Sequence, residues 1–141
     1  MSLIIHSINI NGFRSRKKQQ YIKDYILQNK PAILCIQETH IDIYSKAKDV
    51  ENFISKDYKY IWSFSNGNKS CGVCTIITDK NIICHSFQTD YDGRFIYADV
   101  EFANTNFRVC NIYAPNAPGD RNNYFSSIKK YLVSSYHLVV I

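Results

Sequence analysis

Ala32 to Ile36 is apolar throughout and runs without a break into Gln37-Glu38-Thr39. A run with no polar position fits a strand covered on both faces, as in a parallel sheet, and not the alternating pattern of a strand with one face in water. Glu38 then stands at the lip of a hydrophobic strand, where a carboxylate needs a partner. Upstream, Leu3 to Ile8 is a nearly continuous β-leaning run closed by the turn signal Asn11-Gly12, which predicts a strand with its carboxyl end near Asn9. Between the two, from about Arg16 to Gln28, apolar Tyr21, Ile22, Tyr25 and Ile26 recur at helical spacing among Lys, Gln and Asp, and Pro31 ends the helix. The three segments form a β-α-β unit. Such units gather the carboxyl ends of their strands on one rim, where ligands of open α/β sheets bind, and here that rim holds Asn9 and Glu38.

Beyond a weaker helix candidate, Lys46 to Ile54, the pattern changes to repeated strands: Tyr58 to Phe64, Gly72 to Ile77, Ile82 to Gln88, Arg94 to Phe102 and Phe107 to Tyr113. The breaks at Asn66-Gly67-Asn68, Asp79-Lys80-Asn81, Asp92-Gly93 and Asn104-Thr105-Asn106 predict antiparallel hairpins. Within Arg94 to Phe102, Phe95, Tyr97 and Asp99 face one way and Ile96, Ala98, Val100 and Phe102 the other, which suggests one covered face. Ala114 to Asp120, with two prolines and a glycine, is predicted as a loop, and Tyr124, Phe125, Ile128, Tyr131 and Leu132 as a helix. His137 to Ile141 starts another apolar strand, and the sequence stops inside it, so the domain is expected to continue.

A chain of 141 residues with 45% hydrophobic content suits one domain or part of one. The formal charge of +5 favours polyanions such as nucleic acid without requiring them. No run approaches the roughly 18 apolar residues of a membrane span, and Leu3 to Ile8 lacks a basic leader, so an intracellular protein is expected. Cys35, Cys71, Cys74, Cys84 and Cys110 are odd in number and scattered through strand-like segments, which argues against a disulfide framework. Cys71-Gly-Val-Cys74 has metal-ligand spacing, but no second pair follows, and buried strand cysteines are the simpler reading. His6, His40, His85 and His137 show no ligand spacing and are read as structural, with His40 the one to watch.

Four motifs in order, Ile8-Asn9-Ile10-Asn11-Gly12, Ile36-Gln37-Glu38-Thr39, Cys71-Gly72-Val73 and Asn111-Ile112-Tyr113-Ala114-Pro115-Asn116, resemble the endonuclease/exonuclease/phosphatase superfamily. Gly12-Phe13-Arg14-Ser15, Gln37-Glu38-Thr39-His40 and the stretch from Asn116 through Arg121 to Phe125 look most like LINE-type retrotransposon endonucleases, with abasic-site endonucleases next. The implied fold is a four-layer α/β sandwich, deoxyribonuclease I-like, with two mixed sheets flanked by helices. Residues 1–141 would form its first half to two thirds.

The resemblance implies catalytic roles for Asn9, Glu38, Tyr113 and Asn116 and a Mg2+ ion, with Mn2+ as a substitute, held by Glu38 with Asn9 and Asn11. Arg121 matches a basic position near the phosphate. Arg14, Arg16, Lys17 and Lys18 form a basic cluster on the same rim, suited to a nucleic-acid backbone. The implied activity is DNA nicking in the nucleus by a monomeric domain with no membrane association. The superfamily also supplies a Gly-Asp-Phe-Asn motif, a later Asp and a Ser-Asp-His. None of these is among the 141 residues, so the chain by itself is expected to be inactive. A phosphatase acting on inositol phosphates or phospholipids and a non-catalytic nucleic-acid-binding remnant are the alternatives. A half-sandwich is further expected to expose an apolar sheet face and unpaired edges, and to aggregate.

Overall fold

The structure is a computed structural model that describes residues 2–67 and 70–141. Strand β1 (Ile5–Asn9), helix α1 (Arg16–Asn29) and strand β2 (Ile33–Gln37) form the expected β-α-β unit, with β1 and β2 parallel and Asn9 level with Gln37. Helix α1 starts where the Ser15 side chain accepts from the Lys18 amide, and it ends at Lys30, whose left-handed backbone returns its N–H to Ile26. Its buried positions are Gln19, Ile22 and Ile26, whereas Tyr21 is exposed. Gln19 is buried because its amide donates to the Phe13 and Arg14 carbonyls and accepts from Arg16, which leaves no polar atom unpaired.

Helix α2 (Tyr44–Ile54) buries Ala47, Val50 and Ile54 and leads to β3 (Lys59–Ser63) and β4 (Val73–Ile77). The first sheet has the order β1-β2-β4-β3, with β4 antiparallel to both of its neighbours. Asn66 and Gly67 turn between β3 and β4; the third residue of that cluster, Asn68, lies outside the described residues. The Asp79-Lys80-Asn81 turn departs from expectation. It makes no hairpin and instead carries the chain from β4 in the first sheet to β5 (Ile83–Thr89) in the second.

Strands β5, β6 (Phe95–Phe102), β7 (Thr105–Ile112) and β8 (His137–Val140) form the second sheet in that order, with β8 parallel to β7. Both sheets are mixed, as expected. The β6–β7 hairpin turns on Ala103 and Asn104, both left-handed (φ 50° and 62°), the two-residue geometry that matches strand twist. Helix α3 (Pro118–Ile128) begins earlier than expected, because Pro118 and Gly119 form its first turn and do not lengthen the loop. Proline is tolerated there, since the first N–H of a helix has no partner to lose.

The sheets pack face to face, Ile33, Cys35, Ile61 and Val73 against Ile96, Ala98, Val100 and Val109. Helices α1 and α2 cover the outer face of the first sheet through Ile22, Ile26, Val50 and Ile54. On the second, Ile128 with Tyr124, Tyr131 and Leu132 covers Phe95, Tyr97 and Cys110. Both faces of β6 are therefore covered, one more than its alternation suggested. Among the described residues the inner faces of the two sheets cover each other, contrary to the expected bare face, while Ile83 and Phe87 on edge strand β5 and Leu138 and Val140 on edge strand β8 remain about half exposed. Among the described residues no helix is long and apolar enough to cross a membrane.

Two polar contacts organise these layers. Asn111, fully buried on β7, crosses between the sheets: its Nδ2 donates to the Cys74 carbonyl at 3.0 Å and to Ile36 and Thr75, and its Oδ1 accepts from Gln37 Nε2 at 2.9 Å. Asp99 on β6 accepts from Arg108 Nε and Nη2 at 2.7 and 2.8 Å, and Arg108 also donates to the Tyr131 carbonyl, tying the turn after α3 to the sheet. Hydrogen bonding to Arg108 holds the Asp99 carboxyl below its ordinary range, outweighing burial.

Replacing Asn111 by leucine, close in size, leaves the Gln37 amide without its buried acceptor, and should lower the unfolding free energy by about 1–3 kcal/mol in urea titrations. A wild-type midpoint would contradict the clamp. Because folding depresses the Asp99 pKa, the contribution of its pair with Arg108 is complete above the unfolded carboxylate value of about 4 and is lost as pH falls through the lower folded value. Arg108→Met should therefore reduce stability at neutral pH and flatten its decline at acid pH, read from melts across the range pH 2–7.

Candidate active site

The parallel β1–β2 pair does not separate at its carboxyl end. Ile10 N–H donates to the Gln37 carbonyl at 3.1 Å, Gly12 N–H to Glu38 at 2.6 Å and Phe13 N–H to Thr39 at 2.8 Å, so the two outgoing segments stay zipped past the sheet. The path requires left-handed backbone at Asn11 (φ 47°), Glu38 (φ 53°) and His40 (φ 56°). Glutamate gains nothing intrinsic from that conformation, and such residues cluster at functional sites, where the surroundings hold them in place.

The third segment of the rim explains the Cys71-Gly72-Val73 motif. Thr39 N–H donates to the Gly72 carbonyl and His40 N–H to Cys71, both at 2.9 Å. At Gly72 (φ 104°) a Cβ would collide with the Thr39 hydroxyl, so only glycine lets the β4 entry lie against the Glu38 loop. Cys71 and Cys74 are buried free thiols, and burial pushes both pKa values up, which makes them inert. The reading of the C-x-x-C pair as buried cysteines therefore stands.

Around the Glu38 carboxylate the structure brings together three of the four expected catalytic residues. Asn9 Nδ2 donates to Glu38 Oε1 at 2.8 Å, and Asn9 Oδ1 accepts from the Asn11 amide at 3.1 Å, so Asn9 is held from both ends. Tyr113, one residue past β7, lies near enough to Glu38 for the two side chains to interact electrostatically. Burial, reinforced by that carboxylate, raises the phenol pKa and keeps it protonated as a donor, with Arg94 opposing. Asn116 is exposed on the loop beyond, where Arg121 donates to the Pro115 and Asn116 carbonyls and shapes the loop itself.

The basic residues are placed unevenly. Arg14 Nε donates to the His40 carbonyl at 2.8 Å, beside the site. Arg16 is turned to helix α2, where it pairs with Asp49 at 2.8 Å and lies over the Phe53 ring. Lys17 is exposed, and Lys18 Nζ reaches the Ile10 and Asn11 carbonyls.

Two residues belong to the site that the sequence reading left out of it. His40 Nε2 lies 3.9 Å from Glu38 Oε2, buried and without a hydrogen-bond partner, and Gly12 makes room for the ring. Burial lowers its pKa against the opposing pull of Glu38, and Arg14 and Lys18 lower it further, which keeps the ring neutral at pH 7. Its position next to Glu38 was the available signal. Arg94 lies over the Tyr113 ring at 5.2 Å and donates to the Tyr113 carbonyl at 3.1 Å. In the sequence it was only the residue after a turn, and no signal marked it.

Among the described residues no group of three or more His, Cys, Asp and Glu side chains could hold a metal ion. The donor set nonetheless fits Mg2+, which takes one or two carboxylates, retains waters and leaves places for phosphate oxygens. Glu38, the Asn9 carbonyl and the Asn11 side chain are all hard oxygen donors, and the orphaned His40 nitrogen faces the same carboxylate.

No protein-family profile matches the chain. An uncharacterised 149 kDa protein of transposon TX1 from Xenopus laevis is 25% identical over 140 residues, covering 94% of this chain and 10% of that protein. The AP endonuclease LMAP from Leishmania major superposes with a TM-score of 0.74 at 15% identity, over 97% of this chain and 53% of its own. An endonuclease/exonuclease/phosphatase family protein from Leptotrichia buccalis gives 0.67 at 13% identity, over 99% and 65%. The chain thus spans about a tenth of its curated relative and 53–65% of these structures. Sheet order, covering helices and this superposition agree: the fold is the deoxyribonuclease I-like sandwich of the endonuclease/exonuclease/phosphatase proteins.

Proposed function

We propose that these residues form the metal-binding part of a divalent-cation-dependent phosphodiesterase, and specifically of a DNA-nicking endonuclease of a LINE-type retrotransposon acting in the nucleus. The observation that carries the reading is Glu38: a carboxylate on left-handed backbone at a parallel strand end, hydrogen-bonded by Asn9 and with Tyr113 beside it. Likeness in fold to an AP endonuclease and in sequence to a transposon protein supports the choice of DNA. The net charge of +5 suits that substrate without requiring it.

Glu38 would hold Mg2+ with Asn9 and Asn11, and the cation when bound neutralises phosphate charge and polarises the scissile bond. Asn9 fixes the carboxylate's rotamer, so little reorganisation accompanies loading. The protonated Tyr113 hydroxyl orients a phosphate oxygen at the same carboxylate, and Asn116 contacts the phosphate from the following loop. Arg14 and Lys17 supply charge for the DNA backbone beside the site. The water-aligning Asp and the charge-stabilising His of the superfamily are not among these 141 residues, so this chain by itself binds the cation and DNA without cleaving.

Mn2+ binding to the 141-residue chain, followed by electron paramagnetic resonance, should weaken about tenfold or more in Glu38→Gln. An unchanged affinity would remove the metal role. Supercoiled plasmid should survive incubation with the chain and Mg2+; nicking that disappears in Glu38→Ala would overturn the inactivity of this segment and strengthen the enzymatic reading. DNA binding with no cation affinity at all would favour a non-catalytic remnant.

A further inference from the structure

The first turn of helix α1 carries Arg16, Lys17 and Lys18, and cations at a helix N-terminus oppose the positive end of the macrodipole. The structure treats the three differently. Arg16 is matched by Asp49, whereas Lys17 is exposed to solvent. Lys18 turns back under the loop that leaves β1: its Nζ donates to the Ile10 carbonyl at 2.9 Å and also to the Asn11 carbonyl. Two consecutive carbonyls point the same way because Asn11 and Gly12 are both left-handed (φ 47° and 97°), a concave turn that would leave two acceptors without backbone donors. The other side of the same turn faces the site, where Asn11 N–H holds Asn9 and Gly12 N–H holds the Glu38 carbonyl.

We propose that Lys18 is a positioning residue for the metal site, an internal cation that holds the Ile10–Gly12 turn and through it Asn9 and Glu38, and is not a ligand of the DNA backbone. The proposal rests on the phosphodiesterase reading only in the importance it gives that turn. An ammonium group bound to two carbonyls is a charge-assisted contact, stronger than an ordinary hydrogen bond. Two of the three N–H donors of Lys18 are committed to the turn, whereas those of exposed Lys17 face solvent.

The test compares Lys18→Met with Lys17→Met in the whole chain by two readouts that a phosphate contact and a turn clamp move differently. Amide hydrogen exchange of Gly12 and Phe13, whose N–H groups bond Glu38 and Thr39, should accelerate about tenfold or more in Lys18→Met and stay unchanged in Lys17→Met. The slope of log affinity for a plain DNA duplex against log salt should be the same for Lys18→Met as for wild type. A slope shallower by about 1, the signature of one lost phosphate contact, overturns the assignment, and so does unchanged exchange at Gly12 and Phe13. If Lys18→Met yields no folded protein, Lys18→Gln, which keeps an uncharged NH2 donor group, carries the same two measurements. If the wild-type chain binds neither DNA nor Mn2+, the phosphodiesterase reading fails, and the exchange result alone decides the place of Lys18.

Discussion

The geometry of the rim depends on one buried polar contact between sheets. The Asn111 side chain leaves β7, crosses the apolar interior and satisfies the Cys74 and Ile36 carbonyls of the opposite sheet while its own carbonyl receives Gln37. Gln37 is the residue before Glu38, and Asn111 stands two before Tyr113. The clamp therefore ties together the two strands that lead to Glu38 and Tyr113. Apolar packing alone would hold the sheets about 10 Å apart but would tolerate sliding between them. A buried amide with specific partners does not, since any shift strands a polar atom out of reach of water.

Above that clamp, the site is made by keeping the chain in conformations it does not favour. Asn11, Glu38 and His40 are left-handed, and the hydrogen bonds that hold them run between loops, from Gly12 to Glu38, Thr39 to Gly72 and Gly72 to Gly93. Each link has a neighbour that depends on it. Gly72 must lack a side chain for Thr39 to fit, and a Cβ on Gly12 would press on the His40 ring at 3.1 Å. The glycines of the motifs are thus close-approach points, and their function is to let the carboxylate loop be pinned from two sides.

Basic residues that look alike in the sequence divide in the fold into those serving the protein and those facing outward. Arg16 serves helix α2, Arg108 serves the turn after α3, and Arg121 serves its own loop. Arg94 stacks on Tyr113. The surface left for a polyanion is therefore less basic than the net charge of +5 suggests, and the positive field near Glu38 comes from side chains already committed by hydrogen bonds, Arg14 and Lys18. Fixed charges of that sort need no rearrangement when an anionic substrate arrives, which is how preorganised sites reduce their reorganisation cost.

Most strands and helices and the parallel β-α-β start were legible in local periodicity and in residue types at strand ends, whereas the two mixed sheets were implied by the resemblance that the ordered motifs carry. Glu38 stood out at the lip of a wholly apolar strand, and Asn9, which alone reads as a turn former, was marked by the order of the motifs around it. What only the tertiary structure decided is which partners those residues meet. The Asp79-Lys80-Asn81 turn looks the same whether it closes a hairpin or passes between sheets, Pro118 looks the same in a loop or at the first position of a helix, and Lys18 reads as a surface charge until the turn beneath it is in place. Local patterns report which face of an element is apolar. They carry no information on which distant segment covers that face, and it is this long-range choice that puts Tyr113 against Glu38 and Arg94 behind Tyr113.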